Sequence, residues 1–317
     1  MMAPAADLAI VICTFHRNDL LCALLASLAG QAQPEGLSAN IYVVDNSDEG
    51  VARETVAAAA QSSSLPVSWI GAHPANIAVA RNAGVQAGAE KFVAFVDDDQ
   101  TLEPGWLTAV GQAIQDESID AWLGRVVGVF ETPAAATPAT RRLFSRDLDH
   151  PGGLELFAFG PKKSPDIALA TNNAIFRRAT TLDGAIVFDP AFGHGGGEDY
   201  DLFCRLQRRG RRFVWLPEAA AREFVPASRC DHAYLRRRFY AGGQAFAAAV
   251  ARGGAAPVLS RWIIRGKSLV QAGLLACLAP ALVFQGKQRR ADYGFRWAGV
   301  LGKLSFGGIY PLYRAES

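Results

Sequence analysis

The sequence predicts an α/β protein built on a mostly parallel sheet with helices on both faces. Three observations predict it. Short, wholly apolar, β-branched runs recur through the first third of the chain. Helix-length stretches separate them, and polar residues cluster just after the runs. The 317 residues suffice for one large domain with an appendage or for two small domains, and 50% hydrophobic against 20% charged residues gives an ample core.

The elements follow in order. Residues 8–13 form the first apolar run, and Leu20, Leu21, Leu24, Leu25 and Leu28 then fall at helical spacing. Residues 41–44 form a second run, an alanine-rich helical stretch spans about 51–60, and 67–70 form a third run. A helix over 77–87 leads into the fourth run, 92–96. Ligands of such sheets bind at the carboxyl ends of the strands, so polar residues placed there are the first site candidates. After Phe130 the pattern changes: 131–138 reads as loop, and the chain to 165 shows little periodicity. Regularity returns at 169–176, in a helix over 198–209, in a short strand at 213–216 and in helices from about His232.

Composition narrows the function. Cys13, Cys22, Cys204, Cys230 and Cys277 are scattered and odd in number, which argues for a reducing compartment and against disulfides or structural zinc. The first residues lack a basic stretch followed by an apolar core, so no cleaved signal peptide is expected and the catalytic part should face the cytoplasm. Residues 229–290 carry eleven Lys/Arg against one acid, Asp231, while the rest of the chain is net acidic. That asymmetry calls for an anionic partner. The apolar run 268–284 makes it an anionic membrane surface rather than nucleic acid.

Asp97, Asp98 and Asp99 directly follow the fourth run. Adjacent acids repel, and a divalent cation completed by phosphate oxygens is one reason to hold them together. A solvated turn with a cap before Pro104 is the other. Asp45, Asn46 and Ser47 follow the second run, where the carboxylate can accept from a ribose or a base and all three also suit a turn. Thr14 to Arg17 stand where a dinucleotide-binding protein carries a glycine fingerprint, so nicotinamide chemistry is disfavoured. Asn76 opens a helix that offers Arg81 to an anion or merely exposes it. Three glycines, 195–197, precede Glu198 and Asp199, which serve as a general base or cap the next helix; capping accounts for Asp201.

Together these residues resemble glycosyltransferase family 2. Thr14 to Arg17, Asp45-Asn46-Ser47, Arg81 with Gly84, Asp97-Asp98-Asp99 and Gly197-Glu198-Asp199 stand in that family's order, and the resemblance runs from Leu8 to about Tyr240. It implies the GT-A fold, with a Rossmann-like nucleotide-binding half (1–100) and an acceptor half (101–228), followed by a basic, apolar helical region (229–317). It further implies that Thr14 and Asp45 hold the nucleoside of a nucleotide-sugar donor, uridine diphosphate being the commonest carrier. Arg81 lies near the donor, Asp97 and Asp99 form the motif for Mn²⁺ or Mg²⁺ with Asp99 the direct ligand, and Asp199 is the base of an inverting transfer. Many relatives place a metal-binding His after the strand that corresponds to 213–216. This chain has none there, so Glu223 takes that place or the metal relies on Asp99 and phosphates alone. Arg229 and the run Arg236, Arg237, Arg238 are candidates for further diphosphate contact, and a solvated or lipid-facing helix explains them equally well.

For the C-terminal region, Val258, Leu259, Trp262, Ile263, Leu269 and Val270 at helical spacing read as an interfacial helix. The 17 residues of 268–284 fall just short of a span and have basic residues on both sides. Such a segment would set the site beside a lipid-linked saccharide or polysaccharide acceptor at the cytoplasmic face of the inner membrane. A helical hairpin packing Leu274, Leu275, Leu278 and Val283 onto the catalytic domain, or onto a second copy in a homo-oligomer, is the alternative. Two rivals to the transferase remain. A non-catalytic binding protein of the same fold would not need both acidic clusters, and a nucleotidyltransferase would carry a Gly-rich basic loop after the first strand.

Overall fold

The computed structural model describes residues 7–312 other than 165, 166, 168 and 253–255, without the side chains at 281, 283 and 284. Val283 of the hairpin reading and Pro165, the limit of the irregular stretch, lie outside what is described. The first half alternates as the runs require: β1 (Leu8–Thr14), α1 (Asn18–Ala29), β2 (Ala39–Asp45), α2 (Arg53–Ser62), β3 (Val67–Gly71), α3 (Ile77–Gln86) and β4 (Phe92–Asp97). Leu8, Ile10 and Ile12 enter one core, whereas Ala9 and Val11 enter another on the opposite face. The period of two thus buries both sides of β1, which is why its run is apolar throughout. In register, β1 pairs parallel with β2 and with β4, opposing Thr14 to Asp45 and Cys13 to Asp97. Three polar residues therefore leave the sheet at one edge.

Gly84 of α3 packs directly on that sheet. A Cβ there would come within 2.3 Å of Val11 Cγ1 and 3.3 Å of Val44 Cγ2. Gly84→Ala is expected to cost about 1–3 kcal/mol by overpacking, despite the gain of about 1 kcal/mol in helix propensity. Urea unfolding of the variant measures the difference, and a stabilised variant would refute the close approach.

The second half adds β5 (Gln100–Leu102), α4 (Trp106–Ala113), β6 (Ala121–Phe130), α5 (Pro138–Leu143), β7 (Glu155–Leu156), β8 (Ala174–Arg177), α6 (Arg178–Thr181), α7 (Glu198–Arg208) and β9 (Phe213–Val225). One nine-stranded sheet results, in the order β3-β2-β1-β4-β8-β6-β9-β5, with β7 paired to β9. Its β3-β2-β1-β4 part is parallel, and β8 joins both β4 and β6 antiparallel. Three expectations change. The regular stretch 169–176 is strand only from Ala174, the strand expected at 213–216 continues to Val225, and α5 and β7 lie within the irregular stretch. The pairing of β9 with β6 breaks after Leu216, skips Pro217 to Ala220, and resumes from Ala221 opposite Val126 to Val225 opposite Phe130.

Three helices complete the chain: α8 (His232–Arg252), α9 (Pro257–Leu278) and α10 (Lys287–Leu304). The α8 helix packs on α7 and α10. By contrast α9 buries only Ser268 and Leu275, leaving Val258, Leu259, Trp262, Leu269, Val270, Leu274 and Leu278 each more than half exposed. Leu274 and Leu278 are therefore not packed as the hairpin reading requires. Among the described residues no helix is long and apolar enough to cross a membrane.

Candidate active site

The strand ends converge on a cavity of about 460 Å³, within the range usual for small-molecule sites. Its lining includes six acids (Asp97, Asp98, Asp99, Glu198, Asp199 and Glu223) and five arginines (Arg17, Arg81, Arg146, Arg229 and Arg238). Thr14 and Asn76 also line it.

Strand pairing explains why distant acids meet. After Asp97 the chain turns and β5 runs antiparallel to β9, with Gln100 opposite Glu223. The Phe224 amide donates to the Asp99 carbonyl at 2.8 Å, which fixes Asp99 beside Glu223. Arg17 Nη1 donates to Asp98 at 3.1 Å and to Asp99 at 3.2 Å, and Arg229 Nη1 reaches Asp99 at 3.0 Å. Thr14 Oγ1 donates to Asp98 at 2.8 Å. Asp99 Oδ1 is buried with no hydrogen-bond partner.

The second cluster is held from α3 and α7. Gly197, at φ +105°, sits in the left-handed region just before α7, and a Cβ there would come within 2.5 Å of Ala245. This turn starts the helix at Glu198 and sets Asp199 beside the cavity. Arg81 is buried, donates to Glu198 and stands 3.8 Å from Asp97. Asn76 caps α3, accepting from the Ala78 and Val79 amides, and donates to the Pro190 carbonyl at 3.0 Å.

Charge in this cavity is unevenly compensated. Burial raises the Asp97 carboxyl to about 6, although Arg81 pulls against it. Burial raises Glu198 to about 7, again opposed by Arg81. Glu223 rises to about 8, by burial and then by the charge of Asp99. Cys13 also lines the cavity, but burial pushes its thiol up to about 12, which leaves no thiolate for covalent chemistry.

Three candidates are placed differently from expectation. Asp45 is wholly buried and does not line the cavity. Its carboxylate accepts from the Ser47 amide and hydroxyl and from the Ala52 amide, fixing the loop that brings Asn46 to the cavity. Asp201 is no cap: its Oδ2 accepts from Arg205 Nε at 2.8 Å within α7. Of the run 236–238, only Arg238 lines the cavity, whereas Arg236 and Arg237 are exposed.

Sequence reasoning missed Arg146 and Asn172. Arg146 is buried and donates to the carbonyls of Gly124, Ala170, Asn172 and Asn173, tying the irregular stretch to the sheet. Burial lowers its guanidinium to about 10. Asn172 Nδ2 donates to Glu223 at 3.0 Å. A basic residue in an unpatterned stretch was the only signal for Arg146.

The family model described as glycosyltransferase like family 2 matches residues 4–242. The chain belongs to that family. It is a glycosyltransferase enzyme. The succinoglycan biosynthesis protein ExoM of Rhizobium meliloti is 31% identical over 234 residues, covering 74% of this chain and 72% of that protein. The uncharacterized glycosyltransferase YwdF of Bacillus subtilis is 27% identical over 144 residues, 45% of this chain and 51% of YwdF. Among solved structures, the Pyrobaculum calidifontis mannosyltransferase PcManGT with GDP-Man and Mn²⁺ aligns with a TM-score of 0.60 at 16% identity, over 95% of this chain and 88% of that one. S. aureus TarS with UDP gives 0.58 at 16% identity, over 92% and 90%. The transferase thus has the mixed α/β architecture of GT-A glycosyltransferases.

Proposed function

We propose that the enzyme transfers a sugar, with inversion, from a nucleoside diphosphate to a hydroxyl of a lipid-linked or polysaccharide acceptor. The observation that carries this reading is one cavity lined both by Asp99, whose buried Oδ1 has no hydrogen-bond partner among the described residues, and by the Asp199 carboxylate. Asp199 takes the acceptor's proton as its oxygen attacks the anomeric carbon. Thr14, Asn76 and the Asn46 loop bound the nucleoside, while Arg17, Arg229 and Arg238 face the diphosphate. Glu198 and Arg81 hold the start of α7 and the Asp97 side in place.

A divalent cation, Mn²⁺ or Mg²⁺, fits the hard oxygens of Asp99, Asp97 and Glu223. Among the described residues no three acids, His or Cys converge closely enough to hold it unaided, so phosphate oxygens would complete its shell. When bound it would supply Lewis-acid neutralisation of the leaving diphosphate. Structures of the same fold support this cation: PcManGT holds GDP-Man and Mn²⁺, and GalNAc-T7 holds UDP, GalNAc and Mn²⁺. TarS structures with UDP and UDP-GlcNAc support a uridine carrier, and the name of ExoM supports a cell-surface polysaccharide as product.

In this reading residues 1–228 form the catalytic domain, Arg229 and Arg238 complete its cavity from the C-terminal region, and 229–317 hold the domain to the cytoplasmic face of the inner membrane through the exposed apolar side chains of α9. Release of nucleoside diphosphate from a nucleotide sugar with Mn²⁺ tests the transfer; pyrophosphate release, or no release across a donor panel, would overturn it. Asp99→Ala is expected to abolish the Mn²⁺-dependent part of donor affinity. Calorimetry that finds this part unchanged removes Asp99 from the metal.

A further inference from the structure

A second cavity, also about 460 Å³, opens between α8, α9 and the segment 305–309. Arg252, Arg261, Arg265 and Lys303 line it, with Asp189 as its one acid among the described residues. Arg252 pairs with Asp189, which leaves three cations. Arg265 donates to the Ser305 carbonyl at 3.0 Å, and Lys303 Nζ donates to Gln271 at 3.1 Å; among the described residues neither meets a carboxylate there. Burial, with Lys163 nearby, lowers the Lys303 ammonium below its usual value, the condition of a cation short of counter-charge.

The rim is apolar. Phe306 is 77% and Trp262 57% exposed, their rings meet edge-on at 6.2 Å, and the Arg265 guanidinium lies 3.7 Å from the Phe306 ring centre. The exposed apolar side chains of α9 continue from this rim. An anionic cavity occupant and an apolar surround on one face match the two layers of a membrane interface, phosphate above and acyl chain below.

We propose that this cavity seats the phosphate headgroup of an anionic membrane lipid. The inference rests on the reading of α9 as a membrane-surface helix and adds to it a defined site. It also has a consequence for catalysis. Asp189, Ala191 and Phe192 wall this cavity, and Gly193 to Asp199 continue directly into the wall of the active site. Ile309 and the Tyr310 carbonyl pack against Gly195 of the same segment. A headgroup held here lies one loop from Asp199, on the side from which a lipid-anchored acceptor arrives.

Full-length protein is sedimented with vesicles of phosphatidylcholine alone or mixed with phosphatidylglycerol. The wild type is expected to prefer the mixed vesicles, and Arg261→Gln with Lys303→Gln to weaken that binding by about thirtyfold, from about 1 kcal/mol per basic side chain. Lys303→Arg keeps the charge and is expected to retain binding. Lys287→Gln with Arg289→Gln removes equal charge from exposed positions outside the cavity and is expected to cost less. Thermal melting of each variant confirms that it is folded. Equal losses in the two double variants mean diffuse surface attraction and overturn the cavity while sparing the membrane reading. No sedimentation of wild type with either vesicle overturns both. Binding of inorganic phosphate without vesicle binding makes this a soluble-anion site and overturns the lipid assignment. All of these readouts are independent of sugar transfer.

Discussion

Asp199→Asn is expected to slow sugar transfer by about 10²–10⁴, the usual contribution of a positioned base, with donor affinity unchanged. The substitution isolates the chemistry because Asp199 Oδ1 accepts from the Tyr200 amide at 2.6 Å, and the Asn carbonyl keeps that bond. The start of α7 should therefore survive. Glu198, its neighbour, is tied to Arg81 and buried, so it serves poorly as a mobile base. Single-turnover transfer and donor calorimetry on the same variant separate the two quantities. Near-normal turnover would move the base to Glu198.

Arg81→Met is expected to destabilise the protein by about 3–5 kcal/mol, the usual loss when one partner of a buried ion pair is removed. The guanidinium donates to Glu198 Oε1, while Glu198 Oε2 has no hydrogen-bond partner among the described residues. Without Arg81 the Glu198 carboxyl rises above the value of about 7 that it holds beside the arginine. The folded chain then keeps a proton that the unfolded chain loses, so the penalty grows as pH rises from about 4.5 through 7 and beyond. Adding Glu198→Gln should recover much of the loss at neutral pH. Denaturant unfolding across pH tests this. A single variant as stable as the wild type at pH 8 would show that Glu198 finds another cation.

The nucleotide-binding half was legible because β1 and β4 are buried on both faces. Their runs are apolar nearly throughout, so the polar residues that end them stand out by contrast. The acidic clusters were legible for the same reason. The pairing of β5 with β9 was not: three residues are too few to show a period, and Pro217 interrupts β9. Glu223 was reached only through resemblance, and the register that sets it beside Asp99 belongs to the tertiary fold. Arg146 was illegible because most of its partners are backbone carbonyls, which carry no sequence signal. Asp45 had the right residue type at the right strand end, yet its own loop consumes both its oxygens.

The arginines that rest on the acids set the thermodynamics of loading. Arg17 and Arg229 neutralise Asp98 and Asp99, and a diphosphate that draws them to itself competes with those carboxylates. The carboxylates are then desolvated and uncompensated unless a cation replaces the arginines. Under the proposed function, donor and cation therefore enter as linked ligands. Whatever factor the cation adds to donor affinity, the donor must add to cation affinity. Arg17→Gln should loosen that linkage from the protein's side, drawing the cation in without waiting for the sugar nucleotide.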